Sequence, residues 1–160
     1  MVSRTALITH PDCLGHEMPP SHPEQIARLE VVLKSIQSLP VNFLSAPLVQ
    51  EADLLRVHPQ HYLDELRAAS PAHGFAALDA DTYLSVGSLK AIYRAAGGVI
   101  LAVDQVLSGA VQNAFVATRP PGHHAETDKA MGFCLFGNAA LGTKYALDRY
   151  GLQRVAVVDF

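Results

Sequence analysis

The chain has 160 residues, 49% of them hydrophobic and 17% charged, with a formal net charge of −3. That length suits one domain able to bury a core, and without a basic block nucleic-acid binding has no electrostatic support. No apolar run approaches the ~18 residues of a membrane span, and Met1-Val-Ser-Arg-Thr5 lacks a signal-peptide core, so the expectation is a cytoplasmic protein with no membrane partner.

Thr5-Ala-Leu-Ile-Thr9 reads as a short buried strand. The loop after it carries His10, Asp12, His16 and His22, which could mark a site, although a solvated loop is the plainer account. Ser21 and Glu24 have the spacing of a capping box, opening a helix whose Ile26, Leu29, Leu33 and Ile36 share a face and which Pro40 ends. Val41-Asn-Phe-Leu44 is a second strand, Glu51 to Val57 a short helix, and His58-Pro-Gln-His-Tyr-Leu63 the opening of another. His58 and His61 stand at i and i+3 and could share a metal, but no third ligand is near, and core packing is the stronger reading. Residues 70–84 form a loop rich in Ala, Asp and Pro. Leu89, Ile92, Ala96, Val99, Val103 and Leu107 make one face of a long helix, with Gly109 as its stop. The small run Ala95-Ala-Gly-Gly98 within it allows a neighbouring backbone to approach closely.

An apolar strand at 114–117 runs into Thr118-Arg-Pro-Pro-Gly-His-His-Ala-Glu126. A helix is expected from about Asn138 to Tyr150, closed by Gly151, and then an apolar strand from Arg154 to Phe160 with Asp159 at its tip. Strands alternating with helices indicate an α/β fold, a parallel sheet with helices on both faces. Cys13 and Cys134 form no CxxC pair, which fits a reducing compartment.

The two adjacent histidines are the densest cluster of titratable groups. Neighbouring residues in regular structure point in different directions, so His123 and His124 are poorly placed to chelate one metal and better suited to two protonation tasks in one pocket. An arbitrary His-His pair is more often a solvated loop; the Pro-Pro-Gly before it and the Gly-Phe-Cys after it change that balance.

Arg119-Pro-Pro-Gly-His-His-Ala125, followed by Gly132-Phe-Cys-Leu-Phe136 and Asn138, resembles the signature of the zinc-dependent histone deacetylase superfamily, which includes bacterial deacetylase-like amidohydrolases and acetylpolyamine amidohydrolases. Gly137 departs from it, since the family more often has Asn there. His22-Pro-Glu24 with Arg28, the His58 segment, and Asp79-Ala-Asp-Thr-Tyr-Leu-Ser85 resemble further elements of the same family. The resemblance implies an arginase/deacetylase-like architecture and zinc-dependent hydrolysis of acetyl amides. The substrate would be an acetylated small molecule or an acetyl-lysine protein. It gives His124 the role of general base and acid, His123 that of an electrostatic partner, and Asp159 that of orienting His123. Asp81 would hold the substrate at the pocket rim, with Ser85 and Asp81 also rival caps for the next helix. The Gly132 carbonyl would accept the substrate amide N–H, and Phe133 would wall a narrow tunnel. Arg28 would line an internal channel or stay an exposed, salt-bridged helix residue.

The resemblance also implies potassium near the Asp159 carbonyl. By the same resemblance the zinc ligands are expected beyond Phe160, so residues 1–160 look like the N-terminal part of one deacetylase catalytic domain, incomplete at its C-terminus. Such a part would be inactive alone and prone to self-association, as a homo-oligomer or through its open edge. The alternatives are a non-catalytic binding or scaffold fragment and an arginase-type manganese ureohydrolase.

Overall fold

The computed structural model describes residues 4–160; of the N-terminal stretch read for a signal peptide, positions 1–3 lie outside the described residues. β1 (Thr5–Thr9) is the central strand, and its Ala6, Leu7 and Ile8 are all buried. A strand apolar on both faces belongs inside a parallel sheet covered on both sides. β2 (Asn42–Ser45) and β5 (Asn113–Val116) flank it, both parallel, in the order β2-β1-β5. Ile8 stands opposite Leu44 on one side and Val116 on the other.

Each parallel pairing requires a crossover. The first contains a short 3-10 turn, Pro11–Gly15, and α1 (Ile26–Ile36). The second contains α2 (Glu51–Leu54), α3 (Gln60–Ala69), an antiparallel pair β3 (Phe75–Ala77) and β4 (Tyr83–Ser85), and α4 (Ser88–Leu107). α5 (Asn138–Tyr150) follows β5, and Gly151 ends it in the left-handed region at φ 66°.

α4 is the spine of the core. Gly98 faces the sheet, where a Cβ would come within 3.1 Å of Val116 and 3.5 Å of Ile8. Gly97 lies against the segment after β2, where a Cβ would collide with the Pro47 carbonyl oxygen and stand 2.8 Å from the Val49 nitrogen. The Ala-Ala-Gly-Gly run is therefore a close-approach surface, as its composition suggested. Ile92, Ala96 and Ile100 join α4 to a larger cluster with Tyr62, Leu63, Leu66, Leu84, Leu135 and Leu141. α1 packs through Leu29, Val32, Leu33 and Ile36 onto Cys13 and Ala117 at the carboxyl end of β5.

Several expectations differ from the structure. The capping box at Ser21 and Glu24 does not form. α1 starts at Ile26 after an uncapped Gln25, Ser21 takes φ 68°, and the Glu24 carboxylate turns inward to Arg119. A buried guanidinium is a stronger partner for a carboxylate than an exposed amide. α1 ends at Ile36, before Pro40, and the helix expected over 51–57 covers only Glu51–Leu54, while the 70–84 loop contains β3 and the start of β4. The strand expected from Arg154 to Phe160 is not formed. Residues 154–160 pair with no strand, and Val157, Val158 and Phe160 are exposed. Apolar composition favours a strand only when a neighbouring edge accepts its hydrogen bonds, and among the described residues none does.

Replacing Gly97 by Ala is expected to lower stability by about 1–3 kcal/mol through overpacking against backbone. Urea denaturation measures this, and an unchanged midpoint would mean that Pro47 and Val49 can retreat.

Candidate active site

Beyond β5 the ladder continues for one residue, the Ala117 N–H donating to the Ile8 carbonyl at 2.9 Å. Arg119 follows, fully buried, with a cis peptide bond to Pro120. Its Nε donates to Glu24 Oε1 at 2.8 Å and its Nη2 to Glu24 Oε2, while Nη1 donates to the carbonyls of His16 at 2.8 Å and Cys13 at 3.3 Å. The carboxyl ends of β1 and β5 are thereby tied by a bidentate, charge-assisted pair. Burial pushes the Glu24 carboxyl up, but the hydrogen bonds and charge of Arg119 outweigh it and hold Glu24 below its ordinary value. His16 shares this interior. Its Nδ1 is 2.7 Å from Ser88 Oγ, its Nε2 has no hydrogen-bond partner and lies 3.9 Å from Glu24 Oε2. Burial pushes the imidazole down to about 4, against the opposing pull of Glu24.

Arg119 leads into the histidine pair. His123 Nδ1 lies 2.9 Å from Asp159 Oδ2. A carboxylate only accepts, so Nδ1 is the donor and Nε2 of the neutral ring is left with its lone pair. The two imidazoles are neighbours, with centroids 4.0 Å apart and planes inclined at 49°. His124 packs on Gly132, which takes φ 56°, and a Cβ at Gly132 would stand 2.7 Å from the His124 ring. Glycine is thus required there both by its backbone and by the ring that covers it. The His124 N–H points to Cys134 Sγ at 3.4 Å, and that thiol donates to the Gly132 carbonyl at 3.3 Å. Burial pushes the Cys134 thiol up, which keeps its proton in place for that contact. The carbonyl's second lone pair is still available.

The loop from the histidines to α5 is stapled by His58. Its Nδ1–H donates to the Thr127 carbonyl at 2.7 Å, and the Gly137 N–H donates to its Nε2 at 2.9 Å. His58 is buried and His61 exposed, so the two do not converge on a metal. Phe133 lies beside Gly132 in the left-handed region, at φ 66°. Its N–H is bound by the buried Thr82 hydroxyl at 3.0 Å, and that hydroxyl donates to Asp81 Oδ1 at 3.1 Å. Asp81, Gly132, Phe133 and His124 are therefore joined by successive short contacts.

Residues 22–160 match the model of the histone deacetylase domain. The chain belongs to the histone deacetylase family. It is 42% identical over 151 residues to a histone deacetylase-like amidohydrolase of Pseudomonas aeruginosa, covering 94% of this chain and 39% of that protein. It is 33% identical over 175 residues to the polyamine deacetylase HDAC10 of Mus musculus, covering 98% of this chain and 25% of the other. The crystal structure of the HDA15 HD domain superposes with a TM-score of 0.81 at 31% identity, over 88% of this chain and 42% of that one. The chain thus spans between about two fifths and half of the first relatives it matches, at 39%, 53% and 44%.

Within this histone deacetylase framework, the parts least visible in the sequence are Glu24, His22 and Thr82. Glu24 and His22 belong to the His-Pro-Glu motif and Thr82 to the Asp79–Ser85 segment, and those resemblances were the available signal. Arg28 lies on the surface of α1 with a 56% exposed side chain, 3.1 Å from Glu24 Oε1, as an exposed, salt-bridged residue. Among the described residues no group of three or more His, Cys, Asp or Glu side chains could hold a metal ion. Among the described residues no helix is long and apolar enough to cross a membrane.

Two outcomes are expected. Arg119→Met strands the Glu24 carboxylate in the interior and should cost about 3–5 kcal/mol, with part recovered by adding Glu24→Gln; denaturant titration of the three variants measures it. His16 has a folded pKa below its unfolded value, so its contribution is complete above pH 6.5 and is lost as pH falls from there towards 4. The loss should approach about 3 kcal/mol. His16→Asn should flatten the stability profile over that interval.

Proposed function

We propose that this chain supplies the proton-transfer pair and one wall of the substrate pocket of a deacetylase acting on acetyl amides of the acetyl-lysine or acetylpolyamine kind. The observation that carries the reading is the His123–His124 pair, with Asp159 on the first ring and Gly132 packed against the second. Membership of the histone deacetylase family, with amidohydrolase and polyamine deacetylase relatives, supports amide hydrolysis over the ureohydrolase alternative.

The zinc implied by the family finds no donor set among the described residues, and the steps that follow belong to this chain's own side chains. His124 takes a proton from the attacking water and returns it to the amine nitrogen as the amide C–N bond breaks. His123 holds its Nδ1 proton on Asp159, and the carboxylate stabilises positive charge as it develops on that imidazole. The Gly132 carbonyl accepts the substrate N–H, Phe133 lines the passage, and the Asp81 carboxylate holds the substrate at the rim. Potassium at the Asp159 carbonyl belongs to the proposal on resemblance alone. Residues 1–160 form, in this reading, part of one catalytic domain. By themselves they hydrolyse no acetyl amide and associate through an open edge of the three-stranded sheet.

In the complete enzyme His124→Ala is expected to lower turnover of an acetyl-lysine peptide by about 10²–10⁴, with metal content unchanged by elemental analysis. Loss of metal together with activity would make His124 a ligand and refute its assignment as the base.

A further inference from the structure

The loop between β1 and α1 holds a histidine that the reaction above leaves unused. His22 is half-buried, and both of its ring nitrogens are engaged. The Glu24 N–H donates to Nδ1 at 3.1 Å, so Nδ1 carries the lone pair. Nε2 therefore carries the hydrogen and donates to the Asp81 carbonyl at 2.9 Å. The tautomer is fixed by its neighbours. The same ring meets Phe133 edge-on, with centroids 4.8 Å apart and planes at 73°, and Tyr83 at 5.8 Å and 85°. Edge-to-face contacts at these separations are favourable and directional.

Two independent links thus join Asp81 to Phe133. Thr82 makes one, by holding the Phe133 N–H and the Asp81 carboxylate on a single hydroxyl. It fixes the backbone of Phe133 and does not limit rotation of its ring. His22 makes the other, by holding the Asp81 carbonyl and bearing on the Phe133 ring itself. Glu24, through whose amide His22 is oriented, is the buried partner of Arg119 and so belongs to the most constrained part of the site.

We propose that His22 is a positioning residue of the substrate pocket: as the neutral Nε2–H tautomer it braces the Asp81 loop and the Phe133 ring against each other, and so sets affinity for the chain that carries the acyl amide. This rests on the deacetylase reading, in which Asp81 and Phe133 are the residues that touch that chain. The chemical step itself belongs to His124, and His22 acts on binding.

The test is steady-state kinetics of the complete enzyme on an acetyl-lysine peptide and on an acetylpolyamine. One neutral hydrogen bond and one ring contact correspond to about a tenfold effect. His22→Ala is expected to raise KM by about that factor and to lower kcat less than about threefold. His22→Gln restores a donor for the Asp81 carbonyl and His22→Phe restores the ring edge, and each recovers part of KM. His22→Ala combined with Asp81→Ala is less than additive. An unchanged KM, a loss confined to kcat, or strict additivity overturns the proposal.

Amide hydrogen exchange gives a readout that needs no turnover. In His22→Ala, amides of 80–83 and 132–134 exchange faster while those of β1 and α4 do not change. Unchanged loops overturn the bracing role, and so does acceleration throughout β1 and α4, which would make His22 a general stabiliser. If the unaltered enzyme hydrolyses neither substrate, the deacetylase reading fails, and the exchange result still decides whether His22 braces the two loops.

Discussion

The buried Arg119–Glu24 pair is the contact on which the rest of the site depends. A guanidinium with no solvent exposure is stable only if its donors are met, and here Nε, Nη1 and Nη2 are all engaged by Glu24 and by two carbonyls of the loop after β1. The pair holds together two loops separated by 95 residues in sequence. One of these continues into the two histidines, and the other carries His16 and His22. Displacing either loop would leave a charge in the interior without a partner, so their relative position is firmly determined.

From that anchor the site is assembled by local devices. Gly132 lets the chain turn beneath His124, Thr82 holds the strained Phe133 backbone, and His58 clamps both ends of the 127–137 loop. Non-glycine residues at positive φ persist where the surroundings over-determine them, and Phe133 meets that condition through Thr82 and the His22 ring. Behind the site, α4 packs closely on the sheet and on the segment after β2, because its glycines allow backbone and side chains to approach. Residues 152–160 are the contrast, being exposed throughout and tied to the site by the Asp159 carboxylate.

Histidine appears in three physical roles within this small volume. His58 is a buried, doubly bonded staple, and burial lowers its pKa, which keeps the ring neutral. His16 is buried with one unpartnered nitrogen beside a carboxylate. His123 and His124 are exposed in this chain, packed against each other with His123 Nδ1 on the Asp159 carboxylate. The chemistry available to each follows from its surroundings, since the residue type is the same in all.

The sequence by itself determined the elements whose signals are local. Strand β1 was legible from five consecutive residues, α5 from its length and closing glycine, and the close approach of α4 from its small residues. The histidine motif was legible because its residues are contiguous. What tertiary structure decided were partners distant in the chain. Glu24 has the spacing of a helix cap, yet its carboxylate goes to Arg119. The segment 154–160 has the composition of a strand, yet no edge receives it among the described residues. His22 and Thr82 lie in segments that resemble family motifs, yet their partners, the Asp81 carbonyl and the Phe133 N–H, are set only where the loops meet. Periodicity and capping report interactions within a turn or a strand, whereas the choice of partner for a buried charge or a strand edge depends on which distant segments the fold brings within about 3 Å.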